Sequence, residues 1–162
     1  MNDRRRYLLA ALALVLAAAP GGTAERTRLV KATVFIFGGG QEVHHEISVA
    51  SKDTSRDVVS VLVGQFPGLV KEPRSVSAPD GWRSQVLQRD GRDGVLWSVR
   101  FTCIDPDPAQ ATPSVVAPSG GCGLRAGQSV KFALVLSYQS ASLETEPVFV
   151  DFSDGRTGIA SR

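Results

Sequence analysis

The sequence has few of the side chains on which catalysis and metal binding rely. Its 162 residues include two cysteines and two histidines, and the histidines are adjacent in the chain. It contains no nucleophile elbow, and its motifs supply no Ser-His-Asp or Cys-His arrangement. We therefore expect neither an enzymatic activity nor a bound cofactor.

The chain also lacks an excess of charge once its N-terminus is set aside. Of the 18 basic and 16 acidic residues, Met1–Ala24 holds three arginines and one aspartate, so the remainder carries 15 of each sign. A neutral body with scattered charges does not have the electrostatic footprint of a protein that binds nucleic acid or an anionic membrane. We expect no nucleic-acid partner.

The apolar run near the N-terminus is too short to span a bilayer. Tyr7–Ala19 has 13 residues, whereas a transmembrane helix needs about 20. The run follows three arginines and precedes small residues that end at Ala24, as in an export signal. We expect residues 1–24 to be a signal peptide. The general secretory route is favoured, although residues 3–8 also fit a twin-arginine signal, and a retained anchor is the alternative to a cleaved signal. Residues 25–162 then form one domain without a membrane segment, exported to the periplasm or the medium.

The only two cysteines, Cys103 and Cys122, are predicted to form a disulfide. An even number of cysteines in an exported protein is typical of such pairing. The bond would close a loop of 18 residues. A zinc site is the weaker interpretation, because two distant thiols without a third ligand supply half of one.

Alternating apolar residues predict several strands with one buried face. The central strand is Gly94–Cys103, paired in a hairpin with Ser84–Arg89 across two Asp-Gly steps. Further strands are predicted over Arg28–Phe37, Ser129–Tyr138 and Pro147–Phe152, and Val70–Ala78 is predicted to form a sheet edge because it contains a proline. In the central strand, the side chains expected to face the core are Val95, Trp97, Val99, Phe101 and Cys103, and Trp82 is expected beside that core.

Ser51–Phe66 allows two interpretations. Thr54 and Asp57 resemble a capping box, and apolar residues recur at helical spacing up to Phe66. A hairpin followed by a helix over 54–66 would give an α+β, ubiquitin-like N-terminal half. The same segment is rich in valine, and Val59, Val61 and Val63 alternate as in a strand. We favour a strand, because the rest of the chain shows no second helical pattern.

Glu42–Val49 is a further predicted strand with a polar outer face. Val43, His45, Ile47 and Val49 are expected to point inward, with His45 as a histidine at the rim of the core. The outward row Glu42, His44 and Glu46 is the one cluster in the sequence that could bind a metal ion. A straight row splays its ligands and needs others from a second strand. A solvated strand face is therefore the favoured interpretation, and the metal site is the alternative.

From Asp57 onward the landmarks resemble exported bacterial immunoglobulin-like sandwich domains, including the YcnI-like family. The motifs are APDGW (Ala78–Trp82), GVLW (Gly94–Trp97), LRAGQSVKF (Leu124–Phe132) and FSDG (Phe152–Gly155). The resemblance implies a β-sandwich, and YcnI-like domains handle copper through a histidine at the mature N-terminus. The predicted first mature residue here is Glu25, and no histidine lies near it.

Together these patterns predict an all-β fold, an immunoglobulin-like sandwich of about seven to eight strands with one disulfide. The fold alone decides no function. We expect an exported, non-enzymatic module that binds an unknown protein or surface partner, with the loops at one end of the sandwich as the contact surface. Periplasmic handling of a metal such as copper is the alternative.

Overall fold

The computed structural model describes residues 25–39, 42–66, 72–91, 94–104, 122–137 and 147–162. These residues form strands and the segments that connect them, which confirms the predicted all-β class, and none of them belongs to a helix that could cross a membrane. The predicted signal peptide lies outside the described residues. The nine strands are β1 (Glu25–Gly39), β2 (Glu42–Ser51), β3 (Val58–Phe66), β4 (Ser75–Ser77), β5 (Trp82–Gly91), β6 (Gly94–Cys103), β7 (Ser129–Ser137), β8 (Val148–Phe152) and β9 (Thr157–Ser161).

The strands lie side by side in the order β4-β7-β2-β1-β9-β8-β3-β6-β5. The rings of Phe132 on β7 and Phe101 on β6 stack with their centroids 4.1 Å apart, so these distant members of the sheet face each other. The sheet therefore folds into a first layer (β4-β7-β2-β1) and a second layer (β9-β8-β3-β6-β5). β1 joins them, because its first residues pair in parallel with β9 and the residues from Val30 onward pair antiparallel with β2.

The core lies between the two layers and comes from the alternation of the strands. On β2 every second residue from Val43 to Ser51 is buried, including Ile47 and Val49, which are fully shielded from solvent. β7 repeats the pattern, and β8 buries its first, third and last residues. The predicted inward faces of these three strands are confirmed; on β7 and β8 they are Val130, Phe132, Leu134, Leu136, Val148, Val150 and Phe152.

β3 settles the ambiguous segment in favour of a strand. It pairs with β6 on one side and β8 on the other, so its valine-rich sequence forms a central strand and the ubiquitin-like helix is wrong. One detail differs from the prediction. The register with β8 shifts between Val58 and Ser60, which buries Val58 and leaves Val59 half-exposed. The extra residue of a β-bulge reverses the faces at that point.

The hairpin of β5 and β6 forms as predicted, but one end of it lies beyond the core. Val99 and Phe101 are completely buried, whereas Val95 is 39% exposed and Trp97 is half-buried. The prediction that Val95 faces the core is wrong, and Trp97 reaches only its margin. This end of the hairpin extends past the core, and the pairing of β6 with β3 also ends there, at Trp97. Trp82 is the tryptophan that packs against the core, edge-on to Phe132 at 5.3 Å.

Cys103 and Cys122 form the predicted disulfide, with their Cα atoms 5.7 Å apart. Cys103 ends β6. Just after Cys122, Leu124 pairs with Val58 through two backbone hydrogen bonds of 2.8 and 3.0 Å. The disulfide therefore fixes one end of the connection to β7 against the start of β3. Residues 105–121 of the predicted loop lie outside the described residues.

Two short strands, β4 and β9, differ from expectation. β4 is the predicted edge strand around Pro73, although it has only three residues and pairs with β7 alone. β9 was not predicted from the sequence. Its five residues follow the turn at Gly155, whose φ of 81° suits glycine, and they pair with both β8 and β1.

Candidate binding face

The predicted row on β2 lies on the outer face of the first layer. His44 is opposite Phe37 of β1 and Glu46 is opposite Phe35. The imidazole Nε2 of His44 is 3.6 Å from the Oε1 atom of Glu42, one position along the same face. The structure thus brings the three candidate residues onto one exposed surface, as the alternation of the strand predicts.

Both carboxylates of this row have basic partners on neighbouring strands or loops. Glu42 is hydrogen-bonded to the guanidinium of Arg74, which precedes β4, and the Nζ atom of Lys131 on β7 is 3.0 Å from Glu46. Exposed ion pairs of this kind contribute about 0–1 kcal/mol each. Within the described ranges, no group of three His, Cys, Asp or Glu side chains is arranged to hold a metal ion.

Two phenylalanines give this face its main apolar area. Phe35 is 58% exposed and Phe37 is 57% exposed, although both belong to a regular strand. They alternate with Val34 and Ile36, which pack against the core, so the phenylalanines point away from it. The ring of Phe37 stacks on the His44 imidazole with the centroids 5.2 Å apart. We call Phe35, Phe37 and His44, with the two ion pairs beside them, the binding face.

The outward position of the two phenylalanines follows from the same alternation that predicted this strand. With Val34 and Ile36 assigned to the core, the residues between them must face outward. Two phenylalanines on an outward face are unusual for a solvated sheet, because contiguous apolar surface is the mark of contact sites. The polar row of β2 was predicted as a candidate site, whereas its apolar neighbours on β1 were not.

Beside the binding face, the backbone edge of β1 is open. Pairing with β9 ends at Lys31, and within the described residues Ala32–Gly39 bond only to β2. This stretch carries no charged side chain. The other long edge strand, β5, carries charges at Arg83, Arg89 and Asp90 along its ten residues. Charged side chains are a common protection of sheet edges against further pairing, and β1 lacks it.

His45 belongs to the core and not to the binding face. Its side chain points inward and the residue is 2% exposed. Burial lowers the pKa of His45 from 6.5 to about 4, because the interior disfavours the charged imidazolium. His45 is therefore neutral at neutral pH and adds no charge to the sandwich. It lies deeper than the rim position predicted for it.

A second buried titratable group, Asp53, has a structural role after β2. It accepts hydrogen bonds from the backbone and hydroxyl of Ser55 at 3.0 and 2.7 Å, and from the guanidinium of Arg56 at 2.9 and 2.7 Å. The Ser55 hydroxyl and then Arg56 lower the pKa of Asp53 to about 2, against the opposing effect of burial. Arg56 also lies 3.9 Å above the ring of Phe152. These contacts hold the connection to β3 in place.

Comparison with known proteins supports the architecture. No protein-family model and no curated protein matches the chain, so the resemblance to the YcnI-like family is not confirmed. Among solved structures, an uncharacterized protein from Nocardia farcinica with an immunoglobulin-like fold aligns over 80% of this chain and 81% of its own, with a TM-score of 0.54 and 21% identity.

Two further structures align with lower scores. The chitin-binding domain of a chitinase from Pyrococcus furiosus has a TM-score of 0.43 at 12% identity, covering 79% of this chain and 96% of its own. A cohesin module of a family 33 glycoside hydrolase from Clostridium perfringens has a TM-score of 0.48 at 10% identity, covering 83% and 92%. Similarity of this degree does not inform function. The comparison with the Nocardia protein shows that the chain has an immunoglobulin-like fold.

Proposed function

We propose that this chain is a non-enzymatic binding module that acts outside the cytoplasm and contacts a protein or surface partner through the binding face. The observation that carries the proposal is the exposure of Phe35 and Phe37, each more than half accessible on a regular strand. Covering apolar surface stabilises a complex by about 25 cal/mol per Å² before the costs of association. The ion pairs on either side form a polar rim of the kind that surrounds apolar contact sites.

The location outside the cytoplasm rests on two features. A disulfide between Cys103 and Cys122 is typical of proteins in oxidising compartments. Residues 1–24 have the basic, apolar and small-residue segments of an export signal. N-terminal mass analysis of the exported protein tests this part of the proposal, with Glu25 as the expected first residue and an intact Met1 as the contrary result.

The binding face is tested by site-specific photo-crosslinking in the producing cells. A photoreactive phenylalanine analogue at position 37 should give one defined adduct, and the same analogue at position 86 on β5 should not. Val86 is a suitable control because it is also an exposed apolar residue, at 38%. Phe35→Lys should abolish the adduct at position 37 without lowering the melting temperature. Equal adducts at both positions would show that the face is not a specific contact site.

Metal handling is the second candidate function. It is favoured by the 3.6 Å approach of His44 to Glu42 on an exposed strand, since an imidazole and a carboxylate are suitable ligands for copper or zinc. The test is titration of the purified protein with copper and zinc. If this function holds, Glu42→Gln and His44→Ala each weaken binding at least tenfold, and Glu72→Gln, at an exposed position elsewhere, leaves it unchanged. Absence of binding to the unaltered protein eliminates it.

A further inference from the structure

The open edge of β1 has the length of a complete strand-binding site. Ala32–Gly39 pair with β2 on one side, and beyond Lys31 no described strand covers the other. Eight residues of strand extend over about 26 Å, enough to pair with a peptide of similar length. An exposed strand edge can bind an extended peptide by main-chain hydrogen bonds, with the side chains deciding which peptide is accepted.

A cleft of about 1530 Å³ opens along part of this edge. Thr33 and Val34 line it from the first layer, and Pro147 and Val148 line it from the second. An added strand would lie about 4.8 Å from β1. Its inward side chains would then meet an apolar wall, while its outward side chains would flank Phe35 and the rest of the binding face.

The cleft is basic at the end where β9 stops. Arg26, Arg28 and Lys31 line it there, and the part of its lining that the structure describes contains neither aspartate nor glutamate. Within the described part of the chain, none of these three basic residues forms an ion pair. Three unpaired positive charges beside an apolar edge favour a ligand that brings negative charge to that end.

We propose that the open edge of β1 binds an acidic, extended peptide segment of the partner as an added antiparallel strand. In that orientation the C-terminal part of the peptide lies nearest Lys31, so its carboxylates belong at that end. This inference rests on the proposed function and names the chemistry of the partner. A second copy of the chain fits less well, because its own edge Ala32–Gly39 has no carboxylate to offer.

The probe is a nine-residue peptide in which valine alternates with threonine and the last two polar positions are glutamate. The control peptide has lysine at those two positions. Fluorescence anisotropy of labelled peptides with the purified full chain should show at least tenfold tighter binding of the glutamate peptide. Lys31→Glu should remove or reverse that preference. Arg89→Glu, the matched charge reversal on the β5 edge, should leave it unchanged.

Hydrogen–deuterium exchange locates the bound peptide. The glutamate peptide should slow exchange in residues 32–38, because amides along the open edge gain hydrogen-bond partners, and should not slow exchange in β5. Equal affinity for both peptides, or protection of β5 in place of β1, would overturn the proposal. So would a dimer of the protein alone in which residues 32–38 are already protected, since a second copy would then occupy the edge.

The two proposals fail in different ways. If the peptides show no charge preference but the adduct at position 37 still forms and still requires Phe35, strand addition is wrong and the binding face remains. If the glutamate peptide protects residues 32–38 and no adduct forms at position 37, the edge binds the probe and the proposed contact through the face is wrong.

Discussion

The two halves of β6 have similar alternating sequences and different surroundings. In Val99–Cys103, every second residue is buried, and Phe101 stacks on Phe132 of the opposite layer. In Gly94–Ser98, no residue is buried, although Val95 and Trp97 continue the same alternation. This half of the hairpin extends past the core, and the pairing of β6 with β3 also ends at Trp97. Alternation identifies which residues share a face, and the extent of the opposite layer decides whether that face is covered.

The largest expected effect is at the packed half. Phe101→Ala should lower the free energy of unfolding by about 3–5 kcal/mol, the usual result of deleting a buried large aromatic side chain. Phe101 is fully buried and stacked on Phe132, so the cavity cannot fill by a surface rearrangement. Denaturant unfolding followed by circular dichroism measures the change. A loss below 1 kcal/mol would mean that the layers do not pack at this point.

The disulfide at the same end of the hairpin should contribute the next largest amount. Cys122→Ala should lower stability by about 2–4 kcal/mol, because the bond no longer restricts the unfolded chain. Reduction of the unaltered protein should cause a loss of similar size, which separates the effect of the bond from that of the alanine. If reduction leaves the unfolding midpoint unchanged, the bond adds no stability.

The two tryptophans should contribute differently to the stability of the fold. Trp82→Ala should lower stability by about 2–4 kcal/mol, because the indole packs edge-on to Phe132. Trp97→Ala should cost about 1–2 kcal/mol, since its half-buried ring reaches only the margin of the core. Denaturant melts of both variants under one condition give the ranking. If Trp97→Ala lowers stability more than Trp82→Ala does, the Gly94–Ser98 half of β6 is packed against other side chains.

The smallest effect is expected at the exposed half, where a matched pair of substitutions is available. Val95→Thr should change stability by less than about 0.5 kcal/mol, because a hydroxyl at an exposed position remains solvated. Val99→Thr makes the same chemical change at a fully buried position. It should cost about 1–3 kcal/mol, the penalty for burying an unsatisfied hydroxyl. Equal losses in the two variants would show that both halves of β6 are covered.

The features that the sequence predicted well depend on local pattern. β7 alternates without interruption, and its four apolar side chains are buried as expected. The disulfide between Cys103 and Cys122 could be predicted without knowledge of the structure, because the chain has no other cysteine. The strand in 58–66 followed from its valine content, since β-branched residues suit a pleated and covered surface.

The features that were missed depend on distant contacts. β9 is five residues long, and its sequence TGIAS has little β-propensity; it is a strand because β8 and β1 pair with it from both sides. The exposed half of β6 lies beyond the core, where its pairing with β3 also ends. The open edge of β1 reflects where β9 ends. Neither feature can be predicted from the residues of the strand on which it occurs.

The parallel pairing of β1 with β9 has a consequence for when the protein can fold. Glu25 pairs with Gly158, so the first described strand pairs with the last described one. Contacts between such distant parts of a chain close slowly, on the order of milliseconds to seconds for folds of this type. The first residues of β1 therefore find their described partner only after β9 has formed beside β8.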